Sequence, residues 1–356
     1  MKKKTGLALI LVIASILAFS ACGGSGTNDK ADDKSYVLSF ANFMPAGGVY
    51  EQFVLDYMND LLKDKSAGRL SLDIQSGGAL LSPGDTFDGI EAGVADIGMT
   101  YMATSPGRFP MSSIFELPYI YASGQAAAHA YTDFAAEYSD AFGEFNGVRV
   151  LMLYCGGPGI FLTKNPVTTV DGFKGLQVRT NSTLALVVGA IGGTPVTMGM
   201  TETYEGLRTG VVDGYIGACE TISSYALYEV TSCGTFYPLL NTTHAWFMNE
   251  DSYSALPADL QKILDEAALD TWENRTTVFF ENNGLTSLDI SAEQGMKYYD
   301  FEAGELDKML QMSQSVTSDY IKTLNDLGFN GETMINRYHE LIDQYNGIYP
   351  SPYKVN

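Results

Sequence analysis

Apolar residues recur at Val49, Phe53, Tyr57 and Leu61, and this spacing predicts an amphipathic helix over 49–64. On either side the period changes. YVLSFAN, 36–42, is rich in β-formers and reads as a strand. Residues 69–75 alternate Leu70, Leu72 and Ile74 against Ser71, Asp73 and Gln75, the pattern of a strand with one buried face. VRVLMLYCGG, 148–157, reads as a buried strand ending in glycines. GLQVRT, 175–180, alternates again, with Leu176 and Val178 on one side and Gln177 and Arg179 on the other. TPVTM, 194–198, is a further strand. Strands and helices interleaved in this way imply an α/β fold with mostly parallel sheets.

One pattern occurs twice. TFDGIEAGVADIGM starts at Thr86 and TYEGLRTGVVDGYI at Thr203, 117 positions later. Thr, Gly, Gly, Val and Asp coincide in register. Each copy reads as a short helix, a glycine suited to a left-handed cap (Gly93, Gly210), then a strand. Helix–glycine–strand corners are common, so coincidence is the rival reading; the sharper one is two α/β lobes with corners of the same build. The C-terminal third changes character. From Pro257 no breaker intervenes until Asn282-Asn283-Gly284. A helix over 257–281 would be about 38 Å long, more than the depth of one small lobe, so it is expected to lie across both. Further helices follow to about Tyr345.

The chain begins with Lys2, Lys3 and Lys4, a short apolar run and FSAC ending at Cys22. This is the layout of a signal peptide, 1–21, and the apolar run is short for a membrane span. Small residues before Cys22 resemble a bacterial lipoprotein cleavage box, although Phe19 stands where Leu is usual. The resemblance makes Cys22 the lipid-bearing first residue, plain secretion being the alternative. Residues 22–35 are then a flexible Gly/Ser and charged tether. The length of 356 residues suggests about two domains. A formal charge of −21 argues against nucleic acid, which needs clustered Lys and Arg. It fits a soluble surface-exposed protein, and any anionic ligand would need local positive charge to overcome that field. Beyond Cys22, Cys155, Cys219 and Cys233 form no Cys-x-x-Cys; Cys219 and Cys233 could pair, or all three could be buried thiols.

No zinc-protease, P-loop or nucleophile-elbow motif is present, and His129, His244 and His339 suggest no metal cluster. No metal or other cofactor is expected. Cys155, ending a buried strand, reads as packing. Arg179 near the end of its strand stands out, because open α/β sheets bind ligands beyond the carboxyl ends of their strands and a planar guanidinium can grip a carboxylate with two bonds.

From about Tyr36 to Asn346 the chain resembles a solute-binding subunit of a tripartite ATP-independent periplasmic (TRAP) transporter. The stretch VDGFKGLQVRTNSTLALVVGAIGGTPVTMGMTETYEGLRTGVVDGYIG, 170–217, carries the resemblance, with SGGALLSPGDTFDGIEAGVADIG and FELPYI in support. It implies an α/β, two-lobed, periplasmic-binding-protein-like fold with a hinged cleft and a long helix spanning both lobes. Lobe I is expected to be 36–156 plus about 244–285, and lobe II 157–243 plus about 286–356. It makes Arg179 the carboxylate-gripping residue. Pocket positions of the family map onto Phe43, Met44, Tyr101, Met102, Phe161, Met200, Tyr215 and Gly217, with His244 and Trp246 expected on the rim.

The departures bear on substrate. Many members that bind polar acids carry a second Arg where Gly159 stands here; some carry Asn at Gly217. The 2-oxo-acid branch has Glu-Trp where this chain has Tyr215-Ile216. The expected ligand is therefore a monocarboxylate with an apolar or aromatic body. The expected role is an extracytoplasmic, lipid-anchored binding protein that delivers the acid to a TRAP membrane permease. Rival readings are a binding protein of an ATP-driven importer and a secreted enzyme.

Overall fold

The computed structural model describes residues 34–180 and 182–353, so the leader and Cys22 lie outside the described residues. The strands are β1 (Tyr36–Ala41), β2 (Leu70–Gln75), β3 (Ile97–Tyr101), β4 (Val148–Cys155), β5 (Gly159–Thr163), β6 (Gln177–Thr180), β7 (Thr194–Thr197), β8 (Gly214–Ala218), β9 (Cys233–Tyr237), β10 (Thr243–Asn249) and β11 (Lys297–Tyr299). They form two sheets, ordered β2-β1-β3-β10-β4 and β11-β9-β5-β8-β6-β7. The chain passes between them at 156–158 and again at 238–242. After each passage the new strand, β5 or β10, lies between two antiparallel neighbours. Among the described residues the two sheets thus combine five parallel strand pairs with four antiparallel ones. Parallel pairing survives where strand–helix–strand units dictate it, as in β1 with β3 and β6 with β8.

The repeated sequence builds the same corner twice. Its helices are α1 (Thr86–Glu91) and, after α2 (Gly124–Phe142), α3 (Met200–Thr209). Thr86 and Thr203 donate to the carbonyls of Ser82 and Gly199. Gly93 and Gly210 take left-handed conformations, φ 72° and 77°. Asp96 accepts from the Ser39 amide at 2.7 Å, and Asp213 from the Gln177 amide at 2.8 Å. Thus each shared polar residue satisfies backbone or hydroxyl groups that would otherwise be stranded at the strand junction.

The long helix, α4, runs over 258–293, about 54 Å at 1.5 Å per residue. It passes through Asn282-Asn283-Gly284 instead of stopping there. The Asn283 amide donates to the Phe279 carbonyl, and Gly284 lets the Tyr353 hydroxyl and Cys219 approach; a Cβ would stand 2.4 and 3.1 Å from them. Pro257 is the residue before the first turn. Leu260, Leu264, Phe279 and Phe280 belong to the core of the first sheet, whereas Leu288 belongs to a core of the second, so the helix does lie across both.

The C-terminal segment departs from the expected partition. The 305–312 helix contributes Met309 to the second sheet's side, but α5 (Gly331–Ile348) sends Met334, Ile335, Tyr338, Leu341 and Ile342 into the first core. Tyr338 donates to the Leu117 carbonyl, and Asn346 bonds the 120–122 backbone. The chain then returns to the second side, where Tyr353 stacks on Phe236. Cys155, Cys219 and Cys233 are buried free thiols, so Cys219 and Cys233 do not pair.

Candidate functional site

Arg179 is the third residue of β6, half-buried, and pairs in register with Tyr215 of β8. Its Nε and Nη2 donate to the Met198 carbonyl oxygen at 3.2 and 2.9 Å. That carbonyl fixes the guanidinium plane by its Nε edge; arginine carries five donors, so the contact uses two of them. The guanidinium carbon lies 5.4 Å from the centre of the Tyr215 ring. Tyr215 is 2% exposed and its hydroxyl meets the Thr221 hydroxyl at 3.0 Å. Burial holds the Tyr215 phenol well above its ordinary pKa, against the pull of Arg179 and the Thr221 hydrogen bond, with Glu220 pushing the same way as burial.

The two glycines that replace polar family positions are closed in different ways. At Gly159 a Cβ would stand 2.5 Å from Leu240 Cδ2 and 2.7 Å from the Gly217 carbonyl oxygen. No side chain, still less an arginine, fits without moving backbone. At Gly217 a Cβ would fall 1.8 Å from the Tyr215 hydroxyl oxygen, because the phenol occupies the space a side chain would take. Glycine here is thus the complement of Tyr215.

The other expected lining residues divide. Phe43 and Met44 follow β1, half-buried against the first core, and Tyr101 ends β3 with its ring on His244, centroids 5.1 Å apart. Met200 opens α3, partly buried beside Tyr215's cluster. Two expectations are corrected. Phe161 is wholly buried, stacked on Phe173, on the face of β5 opposite the one that carries Tyr215 and Arg179. Trp246 is not on a rim: it is 0% exposed, donates to the Tyr50 hydroxyl at 3.0 Å and packs edge-on against Phe40. Met102 directly follows β3 and, like Tyr215, is 2% exposed, packed with the first core.

His244 sits in a sandwich of Tyr101, Tyr154 and Phe280 near the second passage between the sheets. Burial pushes its pKa down to about 3, so the imidazole is neutral at physiological pH. Sequence reasoning passed over Glu220, two residues beyond β8. Burial raises its carboxyl to about 7, and its Oε2 is enclosed with no hydrogen-bond partner among the described residues. Glu281 on α4, also buried, accepts from the Gln125 amide at the start of α2. No group of His, Cys, Asp or Glu suited to a metal ion occurs among the described residues. A cavity of about 610 Å³, lined by Phe236, Leu288, Met296, Tyr298 and Pro352 among others, contains none of the site residues named above.

Two sheets joined by two short passages, with an arginine and a tyrosine paired near the end of one parallel strand pair, define a bilobal binding protein. The comparisons with known proteins agree. The model of the bacterial extracellular solute-binding proteins, family 7 (DctP), matches residues 40–323, and the chain belongs to that family. The ectoine-binding periplasmic protein TeaA of Halomonas elongata is 29% identical over 184 residues, 48% of this chain and 52% of that protein, so the match spans about half of that relative's length. A TRAP periplasmic solute-binding protein from Desulfovibrio salexigens superposes with a TM-score of 0.79 at 28% identity, covering 87% of this chain and 97% of that one. A marine-metagenome TRAP protein specific for aromatic acid ligands, solved with metahydroxyphenylacetate, gives 0.79 at 25% identity, covering 87% and 99%. The chain is accordingly an extracytoplasmic solute-binding protein of the TRAP type. No helix among the described residues is long and apolar enough to cross a membrane.

Proposed function

We propose that this protein captures a small monocarboxylate with an apolar or aromatic body and presents it to a TRAP membrane permease, binding the acid without turning it over. Arg179 is the anchor. Its Nη1–Nη2 edge takes the carboxylate while the Met198 carbonyl holds the other edge. Two charge-assisted hydrogen bonds supply about 1.5–3 kcal/mol each, and burial of the apolar body against Tyr215 and the residues after β1 and β3 supplies the remainder. One observation carries the restriction to a single carboxylate: backbone and Leu240 close Gly159, and the Tyr215 phenol fills the space above Gly217, so neither position offers a second charged or amide group. The similar protein specific for aromatic acid ligands supports this reading.

In this reading the passages at 156–158 and 238–242 act as hinges between lobes built on the two sheets. An acid bound between them favours the closed arrangement by its differential affinity. A lipid on Cys22 and the 22–35 tether hold the protein at the outer face of a membrane. Native mass spectrometry of the purified full chain tests the ligand class. The expected result is a carried-over acid with one carboxylate, released by mild heating; recovery of a dicarboxylate, a sugar or a turnover product overturns the proposal.

A further inference from the structure

Glu220 is a half-buried acid with an enclosed carboxyl oxygen, and the carboxylate-binding role of Arg179 does not use it. It follows β8 and opens a short helical turn, 221–224, packed against α4. Its backbone carbonyl accepts from the Ser287 and Ser224 hydroxyls. Its carboxylate oxygen Oε2 is enclosed without a hydrogen-bond partner, and Glu220 enters no ion pair among the described residues. Leaving a buried carboxylate oxygen unmatched is costly, and side chains in such positions are usually paired.

Tyr215 connects this orphan to the anchor. Arg179 lies 5.4 Å from the ring centre at one end, and the hydroxyl at the other end meets Thr221, the neighbour of Glu220, at 3.0 Å. The phenol feels both charges, Arg179 lowering its pKa and Glu220 raising it. Glu220 also raises the pKa values of Cys219 and Tyr353, and no Lys or Arg pairs with it among the described residues. Arg179 and Glu220 thus act on one phenol with opposite sign.

We propose that Glu220 is a specificity-determining residue: its Oε2 accepts a hydrogen bond from a hydroxyl or protonated amine at the end of the ligand remote from the carboxylate held by Arg179. This rests on the carboxylate-binding role of Arg179 and narrows the ligand to an acid with a distal donor. A site built to bond a donor rejects the analogue that lacks it, because the buried acceptor is then left unmatched.

The test is calorimetric titration of the full chain with two matched pairs, phenylacetate with 3-hydroxyphenylacetate and benzoate with 3-hydroxybenzoate. The hydroxylated member of at least one pair is expected to bind at least about tenfold tighter, a difference of about 1.4 kcal/mol. In Glu220→Leu that ratio falls to near one, and in Glu220→Gln, which keeps an acceptor, it is intermediate. A ratio that survives unchanged in Glu220→Leu, or no preference in the native protein, overturns the role of Glu220. Binding that persists in Arg179→Ala, or binding of none of the four acids, overturns instead the reading beneath it. Thermal unfolding of the ligand-free protein gives a second measure. Removing an unmatched carboxylate in Glu220→Leu should raise Tm by about 2–4 °C; a fall in Tm would mark Glu220 as a structural residue and overturn the proposal.

Discussion

Where β1 and β3 run side by side in the first sheet, Ala41 pairs with Gly98; at the equivalent place in the second, Arg179 pairs with Tyr215. The two sheets share one plan: a parallel trio (β2-β1-β3, β7-β6-β8), a strand entering from the other sheet (β10, β5), and a last antiparallel strand (β4, β9). The corners match down to the threonine and aspartate bonds. What differs is what each plan carries. The first sheet places its smallest residues at the strand pair and builds a large aromatic core behind it. The second places a guanidinium and a phenol there, with an unmatched carboxylate just beyond. The shared features serve the fold; the unshared ones are where the ligand chemistry is proposed to lie.

The largest effect should come from the unshared pair. Arg179→Ala is expected to weaken binding of the carried-over acid at least about 100-fold, or 2.7 kcal/mol, by calorimetry. Arg179→Lys should also weaken it, about tenfold, since an ammonium lacks two parallel donors. Ala41→Ser, at the matching position, should leave affinity within about twofold; a comparable loss there would break the comparison. Next come Gly217 and its counterpart Thr100. Gly217→Ala sets a Cβ against the Tyr215 hydroxyl and must displace the ring, so affinity should drop about tenfold, or 1.4 kcal/mol. Thr100→Ala removes a hydrogen bond to the Pro83 carbonyl and should cost about 1 kcal/mol of stability with affinity unchanged. The smallest difference concerns what the corners share. Asp96 accepts from the Ser39 amide and hydroxyl and from the Ser252 hydroxyl, whereas Asp213 accepts from the Gln177 amide. Denaturant unfolding should show Asp96→Ala costing about 2–3 kcal/mol and Asp213→Ala about 1 kcal/mol. Equal costs would mean that the extra bonds of the first corner contribute nothing.

The corners, the strand bearing Arg179 and the long helix were readable because each has a local signature: a repeat, an alternation, an unbroken helical run. The strands that enter from the opposite sheet were not. GIFLT and THAWFMN are buried on both faces, so they show no alternation, and their partners are distant in sequence. For the same reason Phe161 and Trp246 misled. They hold corresponding positions on β5 and β10, each pointing into its own lobe's core, and no local pattern reveals which face a fully apolar strand turns inward. Gly284 failed as a helix stop because Cys219 and Tyr353 need the space it leaves. Glu220 had no signature, being one acid among 42 acidic residues; only enclosure without a partner distinguishes it.

The most direct test of the account is a crystal structure of the full chain with its carried-over acid bound. The account predicts the ligand carboxylate within about 3.2 Å of the Arg179 terminal nitrogens, in two roughly parallel bonds, with the Met198 carbonyl still on the opposite edge. A ligand held elsewhere, with the Arg179 guanidinium bonded to protein alone, would contradict it.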